Sequence, residues 1–270
     1  MSGLRVQGKV ALVTGGASGM GKADALLLAR EGANVIVSDM DSQNGRAVVK
    51  QINDANGSRK AIFIEHNVAD EENWKAVIAE IQSSYGRLDI LVNNAGVMKP
   101  GNILNTSLEE WKWINSVNSE SQFLGCKHAI PLMEASGEGG SIINMSSTSM
   151  VYGISYVAAY SASKGSVDAL TRTVAMHCIE AGNKIRVNSI QPDSVRTPLV
   201  AKLATGNDSV SQADVDDLNK LPTQWIEPED VANTVLFLAS SESNCINGIA
   251  ILIDNGACIR PPAGGASDKN

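Results

Sequence analysis

A tyrosine and a lysine four residues apart, Tyr160 and Lys164, are the pair in this sequence whose types and spacing most directly suggest chemistry. In a helix this spacing places both side chains on one face, with their β-carbons about 6 Å apart. A lysine cation beside a phenol favours the phenolate, so we expect the pKa of Tyr160 to move from about 10 toward neutrality. A tyrosine of this kind can exchange a proton with an alcohol or a carbonyl oxygen.

Two further tyrosines, Tyr152 and Tyr156, precede Tyr160 at the same four-residue interval and compete with it for this role. Only Tyr160 lies one helical turn from Lys164, which favours it as the proton-transfer group. Tyr152 and Tyr156 are expected in a loop, where they could line a substrate pocket.

Two serines, Ser146 and Ser147, end a short apolar run that is typical of a strand. Serines at the carboxyl end of a strand point into the crevice where open α/β sheets bind ligands. For an isolated pair of serines, however, the capping of a turn is the simpler explanation. The residues alone leave both interpretations open.

A glycine-rich segment, Thr14–Gly21, follows the first predicted strand and opens a predicted helix. The glycines of this segment would let the backbone turn tightly and approach a pyrophosphate. The free N–H groups and the dipole of the helix N-terminus attract the phosphate charge. Its position at the start of a βαβ unit therefore predicts a dinucleotide site.

An acidic residue, Asp39, stands at the end of the second predicted strand, 20 residues after Gly19. At that place a carboxylate can accept hydrogen bonds from the ribose hydroxyls of adenosine. The same carboxylate would repel a 2′-phosphate, and neither Met40 nor Ser18 supplies a compensating cation. The sequence therefore favours NAD(H) over NADP(H).

Strands and helices must alternate along the chain to position these groups. Seven apolar runs predict strands: Lys9–Val13, Asn34–Ser38, Ala61–Glu65, Leu88–Val92, Ser141–Met145, Ile185–Ile190 and Ala250–Ile253. Several of these runs are continuously hydrophobic, as in a parallel sheet that is covered on both faces. Helices are expected near residues 20–31, 42–56, 71–85, 107–135, 157–182 and 228–240.

This alternation predicts an α/β fold: a single doubly wound (Rossmann) domain over residues 1–258, with a seven-stranded parallel sheet and helices on both faces. The segment near residues 199–224 is polar and weakly periodic, and its length suggests a lid or substrate loop. Residues 259–270 are rich in proline and glycine and are expected to form a flexible tail.

Composition excludes several classes of protein. The 270 residues carry a net charge of −7, which gives no electrostatic reason to bind nucleic acid or an anionic membrane. No apolar run approaches the ~20 residues of a bilayer span. Four widely spaced cysteines and three separated histidines show no metal-ligand spacing, so we expect reduced thiols, no metal and a cytoplasmic location.

Together these features resemble the short-chain dehydrogenase/reductase family over roughly residues 7–257. The order and spacing of eight motifs account for the resemblance: TGGASGMG (14–21), Asp39, NNAG (93–96), Asn118 in VNSES, SS (146–147), YSASK (160–164), IRVNS (185–189) and TP (197–198). Within the family, the segments INMSS and SIQPDSVRTP are most similar to those of bacterial 3β/17β-hydroxysteroid and cyclic-alcohol dehydrogenases.

The resemblance implies four catalytic residues. Tyr160 would act as general base in oxidation and general acid in reduction. Ser147, which lies 13 residues before it, would hydrogen-bond the reacting oxygen. Lys164 would lower the pKa of Tyr160 and bind the nicotinamide ribose. Asn118 would hold a water that connects Lys164 to solvent.

The resemblance also implies a set of cofactor contacts. Asn94 would contact the ribose, while Val195 and Thr197 would close over the nicotinamide amide. The full set of expected contacts is Gly15, Ser18, Gly19, Met20, Gly21, Asp39, Met40, Asn67, Val68, Asn94, Tyr160, Lys164, Val195 and Thr197.

Three positions depart from the family pattern. Asn67 replaces the usual aspartate before Val68, and an amide can still contact the adenine. Asp193 replaces the usual glycine after Pro192, which puts a carboxylate near the nicotinamide end. Asn255 replaces a glycine near the C-terminus, a change that could alter a subunit contact.

These features predict an NAD(H)-dependent oxidoreductase that interconverts an apolar, cyclic secondary alcohol, such as a steroid, alicyclic or terpenoid alcohol, and its ketone. The family usually forms homotetramers or homodimers, with helices 107–135 and 157–182 at the interface. An NADPH-dependent 3-oxoacyl carrier reductase and a non-catalytic nucleotide-sensing protein are the alternatives. Asp39 argues against the first, and the presence of Ser147, Tyr160 and Lys164 argues against the second.

Overall fold

Seven parallel strands form the sheet of this protein in a computed structural model that describes residues 4–56, 61–207 and 209–259. The strands are β1 (Val10–Thr14), β2 (Asn34–Asp39), β3 (Ala61–Glu65), β4 (Ile90–Asn93), β5 (Gly140–Met145), β6 (Ile185–Pro192) and β7 (Ala250–Ile253). Their spatial order is β3-β2-β1-β4-β5-β6-β7, and each neighbouring pair is parallel. The predicted doubly wound sheet is confirmed.

Helices follow the strands and cover both faces of the sheet. They are α1 (Gly19–Arg30), α2 (Ser42–Asn56), α3 (Glu71–Tyr85), α4 (Leu108–Asn115), α5 (Ser121–Ala135), α6 (Ala158–Ala181), α7 (Pro198–Thr205), α8 (Gln212–Asp217) and α9 (Pro228–Ala239). Of the described segments, no helix is long and apolar enough to cross a bilayer.

Alternation along the buried strands divides the core into two layers. Ala11 and Val13 of β1 belong to the layer that includes α1 and α9. Val10 and Leu12 belong to the opposite layer, which includes α3 and α5. Successive side chains of a strand point to opposite faces, so a continuously apolar strand such as β1 supplies both layers.

The predicted helix over 107–135 is wrong in one respect, because it is three segments in the structure. A capping box between Ser107 and Glu110 begins α4, and a π-helical turn over Ser116–Glu120 joins α4 to α5. Such π-helical insertions occur often at functional sites. The insertion contains Asn118, a predicted catalytic residue, and the helix is wider at this point.

The segment over 199–224 is also more ordered than a loop. It contains most of α7, all of α8 and a 3₁₀ turn over Leu218–Lys220. Ala201, Val215 and Leu218 form a small apolar cluster of their own beside the main core. The proposed lid role of this segment stays a prediction, and all but Ile259 of the predicted tail lies outside the described residues.

The carboxyl ends of the strands share one edge of the sheet, and the chain order reverses between β1 and β4. Crevices for ligands in open α/β sheets form at such a reversal. The loops after β1, β2, β4, β5 and β6 all open there. The elements therefore bring the glycine-rich segment and the Tyr160 helix to one edge.

Candidate active site

Two adjoining cavities lie along this edge. The first, the glycine-side cavity, has a volume of about 480 Å³ and lies over the ends of β1, β2 and β4. The second, the loop-side cavity, has a volume of about 360 Å³ and lies between the loop after β5 and helix α7. Among the described residues Tyr160 is the one that lines both.

Most of the expected cofactor contacts line the glycine-side cavity: Gly15, Ser18, Gly19, Met20, Asp39, Met40, Asn67, Val68, Asn94, Tyr160, Lys164 and Thr197. Two do not. Val195 is buried in the core beside Ile226, with which it forms a short parallel bridge. Gly21 lies beneath the cavity wall, where its role is packing.

The glycine-rich segment is a tight turn because its backbone approaches other backbone and polar groups closely. A β-carbon on Gly21 would lie 2.3 Å from the Gly15 carbonyl oxygen and 2.4 Å from Asn94 Nδ2. Gly15 itself has φ +65°, which side chains disfavour. These glycines bring α1 against the turn, so its N-terminus faces the cavity.

The N-terminus of α1 is free to bind an anion. Ser18 occupies the N-cap position, but its side chain makes no capping hydrogen bond to the first turn. The unpaired N–H groups and the helix dipole favour negative charge at this point. The turn therefore fits a pyrophosphate.

Asp39 ends β2 with its carboxylate fixed by backbone groups. Oδ2 accepts a hydrogen bond from the Ala17 N–H at 3.1 Å, and Oδ1 accepts one from the Asp41 N–H at 3.0 Å. The carboxylate is thereby tied to the glycine-rich turn. A ribose hydroxyl bound beside it would find an ordered acceptor.

The hydrogen bonds of Asn94 indicate whether this cavity fits a nucleotide. Its Nδ2 donates to the carbonyl oxygens of Thr14 at 2.9 Å and Gly15 at 3.2 Å. Its Oδ1 is buried and has no hydrogen-bond partner within the described chain. A buried acceptor without a donor is costly, and a ribose hydroxyl would satisfy it. The residues present therefore fit a dinucleotide.

Charge in the glycine-side cavity is concentrated at its two ends. Lys164, beside the end of β5, is the only cation among the described lining residues, and Asp39 lies at the end of β2. His66 also lines the cavity, but burial lowers its pKa to about 4, so its ring is neutral at physiological pH. No side chain of the described lining thus offers a positive charge beside Asp39.

Tyr160 and Lys164 lie together on α6, as their spacing predicts. Lys164 is buried, its Nζ donates to the Met145 carbonyl oxygen at 2.7 Å, and it lies 5.6 Å from the centroid of the Tyr160 ring. Burial lowers the pKa of Lys164 to about 8, an effect that the nearby carboxylate of Asp168 opposes.

The expected lowering of the Tyr160 pKa is wrong for the protein alone. Burial raises the pKa of Tyr160, and a hydrogen bond with Ser147 only partly offsets this effect. The sequence shows the spacing of Tyr160 and Lys164 but not the loss of water around the phenol. Desolvation disfavours the phenolate, and Ser147 rather than Lys164 is the group that lowers this pKa.

The two serines that end β5 have different partners. Ser146 Oγ donates to the Lys164 carbonyl oxygen at 2.9 Å, and Ser146 lines the glycine-side cavity. Ser147 lines the loop-side cavity, hydrogen-bonds Tyr160 and accepts from the Ser149 N–H at 3.1 Å. Ser147 thus caps a turn and also lies beside the phenol, so the two sequence interpretations are compatible.

Asn118 holds the wall of the site together from the π-helical turn. Its Oδ1 accepts from the Val97 N–H at 2.8 Å, and its Nδ2 donates to Val97 O at 2.9 Å and to Ser163 Oγ at 3.0 Å. A β-carbon on Gly96 would lie 3.4 Å from Asn118 Oδ1 and 3.6 Å from Lys164 Nζ. Asn118 and Lys164 therefore meet around Gly96, while the water relay stays a prediction.

The hydroxyl of Tyr152 is paired with Asp193 and Thr148. Its hydroxyl donates to Asp193 Oδ1 at 2.6 Å, and burial together with Asp193 raises its pKa to about 12. Tyr156 lines the loop-side cavity and is 57% exposed, so it lies at the rim. Neither residue lines the glycine-side cavity.

Most of the surface of the loop-side cavity is apolar. The apolar wall comes from Met98, Ile154, Val157, Val200, Leu203, Ala204, Leu221 and Trp225. These residues follow no motif, because they come from separate segments that the fold brings together. Ser147, Tyr156, Tyr160 and Asp193 gave a signal in the sequence, and Val200, Leu203, Ala204 and Leu221 fall within the predicted substrate segment near 199–224, whereas Tyr152 does not line the cavity.

Comparison with known proteins agrees with this geometry. Residues 15–258 match the family model described as enoyl-(acyl carrier protein) reductase. A 3-beta-hydroxysteroid dehydrogenase from Comamonas testosteroni is 42% identical over 252 residues, which cover 93% of this chain and 96% of that protein. A trans-4-hydroxycyclohexanecarboxylate dehydrogenase from Sinomonas cyclohexanicum is 38% identical over 257 residues, which cover 93% of each chain.

Similarity extends to solved structures. The crystal structure of a short-chain type dehydrogenase/reductase from Mycobacterium marinum superposes with a TM-score of 0.84 and 32% sequence identity, covering 96% of this chain and 98% of that one. The motifs, the sheet order and these relatives agree. The chain belongs to the short-chain dehydrogenase/reductase family and is an oxidoreductase of alcohols and ketones that uses a nicotinamide cofactor.

Proposed function

We propose that this protein is an NAD(H)-dependent oxidoreductase that interconverts an apolar, cyclic secondary alcohol and its ketone, with Tyr160 as the acid–base residue. One observation supports the proposal above all others: Tyr160 lines both cavities. A group at that boundary can reach a substrate on one side while the cofactor lies on the other.

Different residues of this chain have different roles in the reaction. When bound, the nicotinamide supplies or accepts the hydride. Ser147 donates a hydrogen bond to the reacting oxygen, and Tyr160 passes the proton to it or takes the proton from it. Lys164 places an ammonium beside the phenol ring, where it compensates negative charge that develops on Tyr160 during oxidation.

The raised pKa of Tyr160 should affect ketone reduction and alcohol oxidation differently. A neutral phenol is ready to donate a proton, which suits reduction of a ketone at neutral pH. Oxidation needs the phenolate, so its rate rises with pH until the phenol is deprotonated. Initial rates of both directions between pH 6 and pH 10 measure this difference.

The cofactor is proposed to be NAD(H) because the adenine end of the glycine-side cavity carries Asp39. A 2′-phosphate there would meet a carboxylate, and among the described lining residues the only cation is Lys164 at the opposite end. The ratio of kcat/KM with NAD⁺ to that with NADP⁺ tests this assignment. Preference for NADP⁺ would contradict it.

The substrate is proposed to be apolar and cyclic because the loop-side cavity presents mainly aliphatic and indole surface. The two relatives described above act, by their names, on a 3-beta-hydroxysteroid and on trans-4-hydroxycyclohexanecarboxylate. A ring with a secondary hydroxyl would fill this cavity and bring the hydroxyl to Ser147 and Tyr160.

A homotetramer or a homodimer is proposed from large apolar side chains that stay exposed on the helices of one side. Trp113, Phe123, Met176 and Ile179, on α4, α5 and α6, are each nearly half exposed or more. Exposed apolar groups of this size commonly mark an interface. Light scattering after size-exclusion chromatography measures the oligomer number.

The remaining parts of the proposal concern location and partners. All four cysteines are free thiols, as is usual in a reducing compartment, and we propose a cytoplasmic location. The net charge of −7 supports a small-molecule substrate and argues against nucleic acid or an anionic membrane as partners.

A panel of alicyclic and steroidal alcohols with NAD⁺, followed by absorbance of the reduced nicotinamide, tests the proposed function. Turnover of secondary ring alcohols is expected, with little turnover of linear primary alcohols. Faster reduction of a 3-oxoacyl thioester with NADPH would instead favour a carrier reductase. Tight NADH binding without turnover of any alcohol or ketone would favour a nucleotide-sensing protein.

A further inference from the structure

Asp193 puts a carboxylate into the wall of the loop-side cavity, beside Ser147 and Tyr160. It follows the last residue of β6, and its backbone N–H donates to the Ile253 carbonyl oxygen at 2.9 Å. The side chain therefore starts from a backbone that is anchored to β7. This position is part of the sheet edge and not of a free loop.

The hydrogen bonds of this carboxylate are unevenly shared between its two oxygens. Oδ1 accepts from the Tyr152 hydroxyl at 2.6 Å, from Thr148 Oγ1 at 3.2 Å and from Ser194 Oγ at 3.5 Å. Within the described chain Oδ2 accepts none. Asp193 is partly exposed and lines the cavity.

The described lining of the cavity offers no cation to pair with this oxygen. None of the described residues that line it is a lysine, an arginine or a histidine. Most of the wall is apolar, and a carboxylate in such surroundings gains strongly from a hydrogen-bond donor. A donor on the ligand would supply the partner that Oδ2 lacks.

We propose that the ring substrate carries a second hydroxyl, which donates to Asp193 Oδ2, and that Asp193 excludes substrates with a carboxylate at this place. The inference rests on the proposed function, since it concerns the substrate of the same site. A hydroxyl fits better than an ammonium, because one carboxylate in an apolar wall compensates the desolvation of a neutral donor more easily.

Tyr152 is the positioning residue for this contact. Its hydroxyl stays protonated, because burial and Asp193 raise its pKa to about 12, and it holds Oδ1 in place. With Oδ1 occupied, Oδ2 remains the acceptor for the substrate. Tyr152 thus affects which substrate is chosen and takes no part in proton transfer.

The test compares two substrate ratios in wild type, Asp193→Asn and Tyr152→Phe. The first ratio is kcat/KM for the best isomer of cyclohexanediol over that for cyclohexanol. The second is kcat/KM for 4-hydroxycyclohexanecarboxylate over that for its neutral methyl ester. Ratios remove any general loss of activity, and thermal unfolding of each variant checks that it is folded.

Opposite movements of the two ratios are expected in Asp193→Asn. The diol ratio falls about tenfold, because a hydrogen bond to a charged group becomes one to an amide. The carboxylate ratio rises about tenfold, because like-charge repulsion is removed. Tyr152→Phe lowers the diol ratio by a smaller factor. Asp216→Asn, an exposed carboxylate on α8, leaves both ratios as in wild type.

Three outcomes would overturn the proposal. Ratios that are equal in wild type and Asp193→Asn would show that Asp193 does not select the substrate. A preference for 4-aminocyclohexanol over every diol would replace the hydroxyl with an ammonium. Absence of turnover with all alcohols would overturn the proposed function itself, whereas turnover of cyclohexanol with unchanged ratios would overturn this inference alone.

Discussion

The two cavities that meet at Tyr160 are built in different ways. At its glycine-rich end the glycine-side cavity depends on backbone: the turn around Gly15, the N-terminus of α1, and Asn94, which donates to backbone carbonyls. The loop-side cavity is made by side chains from the loop after β5 and from the segment that contains α7.

This difference suggests which positions must be retained in every member of the family and which can be substituted in individual members. A backbone cradle tolerates little substitution, because an added β-carbon moves the chain itself. A wall of side chains can be altered one residue at a time while the sheet edge stays in place. The first cavity therefore suits a shared cofactor and the second an individual substrate.

The largest expected effect is at the boundary between the cavities. Tyr160→Phe removes the group that exchanges the proton and should lower kcat by about 1,000-fold. NADH binding, measured by fluorescence titration, should stay within about tenfold of wild type. The matched variant Tyr152→Phe should lose less than about tenfold in kcat. Equal losses of kcat in the two variants would show that the acid–base role has been given to the wrong tyrosine.

The next prediction compares a glycine-to-alanine substitution beside the glycine-side cavity with one in the loop after β5. Gly21→Ala places a β-carbon 2.3 Å from the Gly15 carbonyl oxygen, so the turn must shift. We expect NADH affinity to fall about 10- to 100-fold, since overpacking of this kind costs about 1–3 kcal/mol. In Gly153→Ala the new β-carbon meets nothing within 4 Å, and its NADH affinity should equal that of wild type. A normal affinity in Gly21→Ala would refute the backbone cradle.

Replacement of Asp39 tests whether the negative charge in the glycine-side cavity determines the preference for NAD⁺ over NADP⁺. Asp39→Ser removes the carboxylate and keeps a short hydrogen-bonding side chain. The preference for NAD⁺ over NADP⁺, as a ratio of kcat/KM values, should fall about tenfold or more. Glu65→Gln, an exposed change at the end of β3, serves as the control. An unchanged ratio in Asp39→Ser would mean that another group selects the cofactor.

The smallest expected effect concerns a carboxyl in α1, the helix that begins at the glycine-side cavity. Asp24 is fully buried and both its oxygens lack partners within the described chain, in contrast to Asp193 with its three donors. Burial raises the pKa of Asp24 well above its ordinary value. The unfolded chain releases this proton near pH 4, so its contribution to stability is lost as pH rises from there toward the raised pKa.

Urea unfolding of wild type and Asp24→Asn at pH 5 and pH 8 measures this effect. The amide cannot ionise, so the free energy of unfolding of the variant relative to wild type should increase with pH by about 1 kcal/mol or more. A difference that stays constant, or that reverses, would show that Asp24 is charged in the folded protein. Asp216→Asn, on the surface, should show no such trend.

Sequence patterns predicted the glycine-side cavity far better than the loop-side cavity. Gly15, Asp39 and Asn94 belong to local motifs at the ends of strands, and strand ends meet because the sheet is parallel. Met98 lies far in the chain from Leu221 and Trp225, and no local rule says that they share a wall. Their meeting depends on tertiary packing.

Two finer errors also have physical reasons. The π-helical turn at Asn118 has no signal in hydrophobic periodicity, because its five residues are too few to show a period of their own. The pKa of Tyr160 was predicted from the nearby charge, whereas burial determines its direction. Burial of one hydroxyl is a property of the folded molecule and cannot be counted from spacing.

A crystal structure of the protein with NAD⁺ and a ring ketone tests the central claim most directly. We predict that the ketone oxygen lies within about 3 Å of both the Tyr160 hydroxyl and Ser147 Oγ, at the boundary of the two cavities. A ketone oxygen bound to Tyr152 instead, with the Tyr160 hydroxyl out of hydrogen-bonding reach, would contradict it.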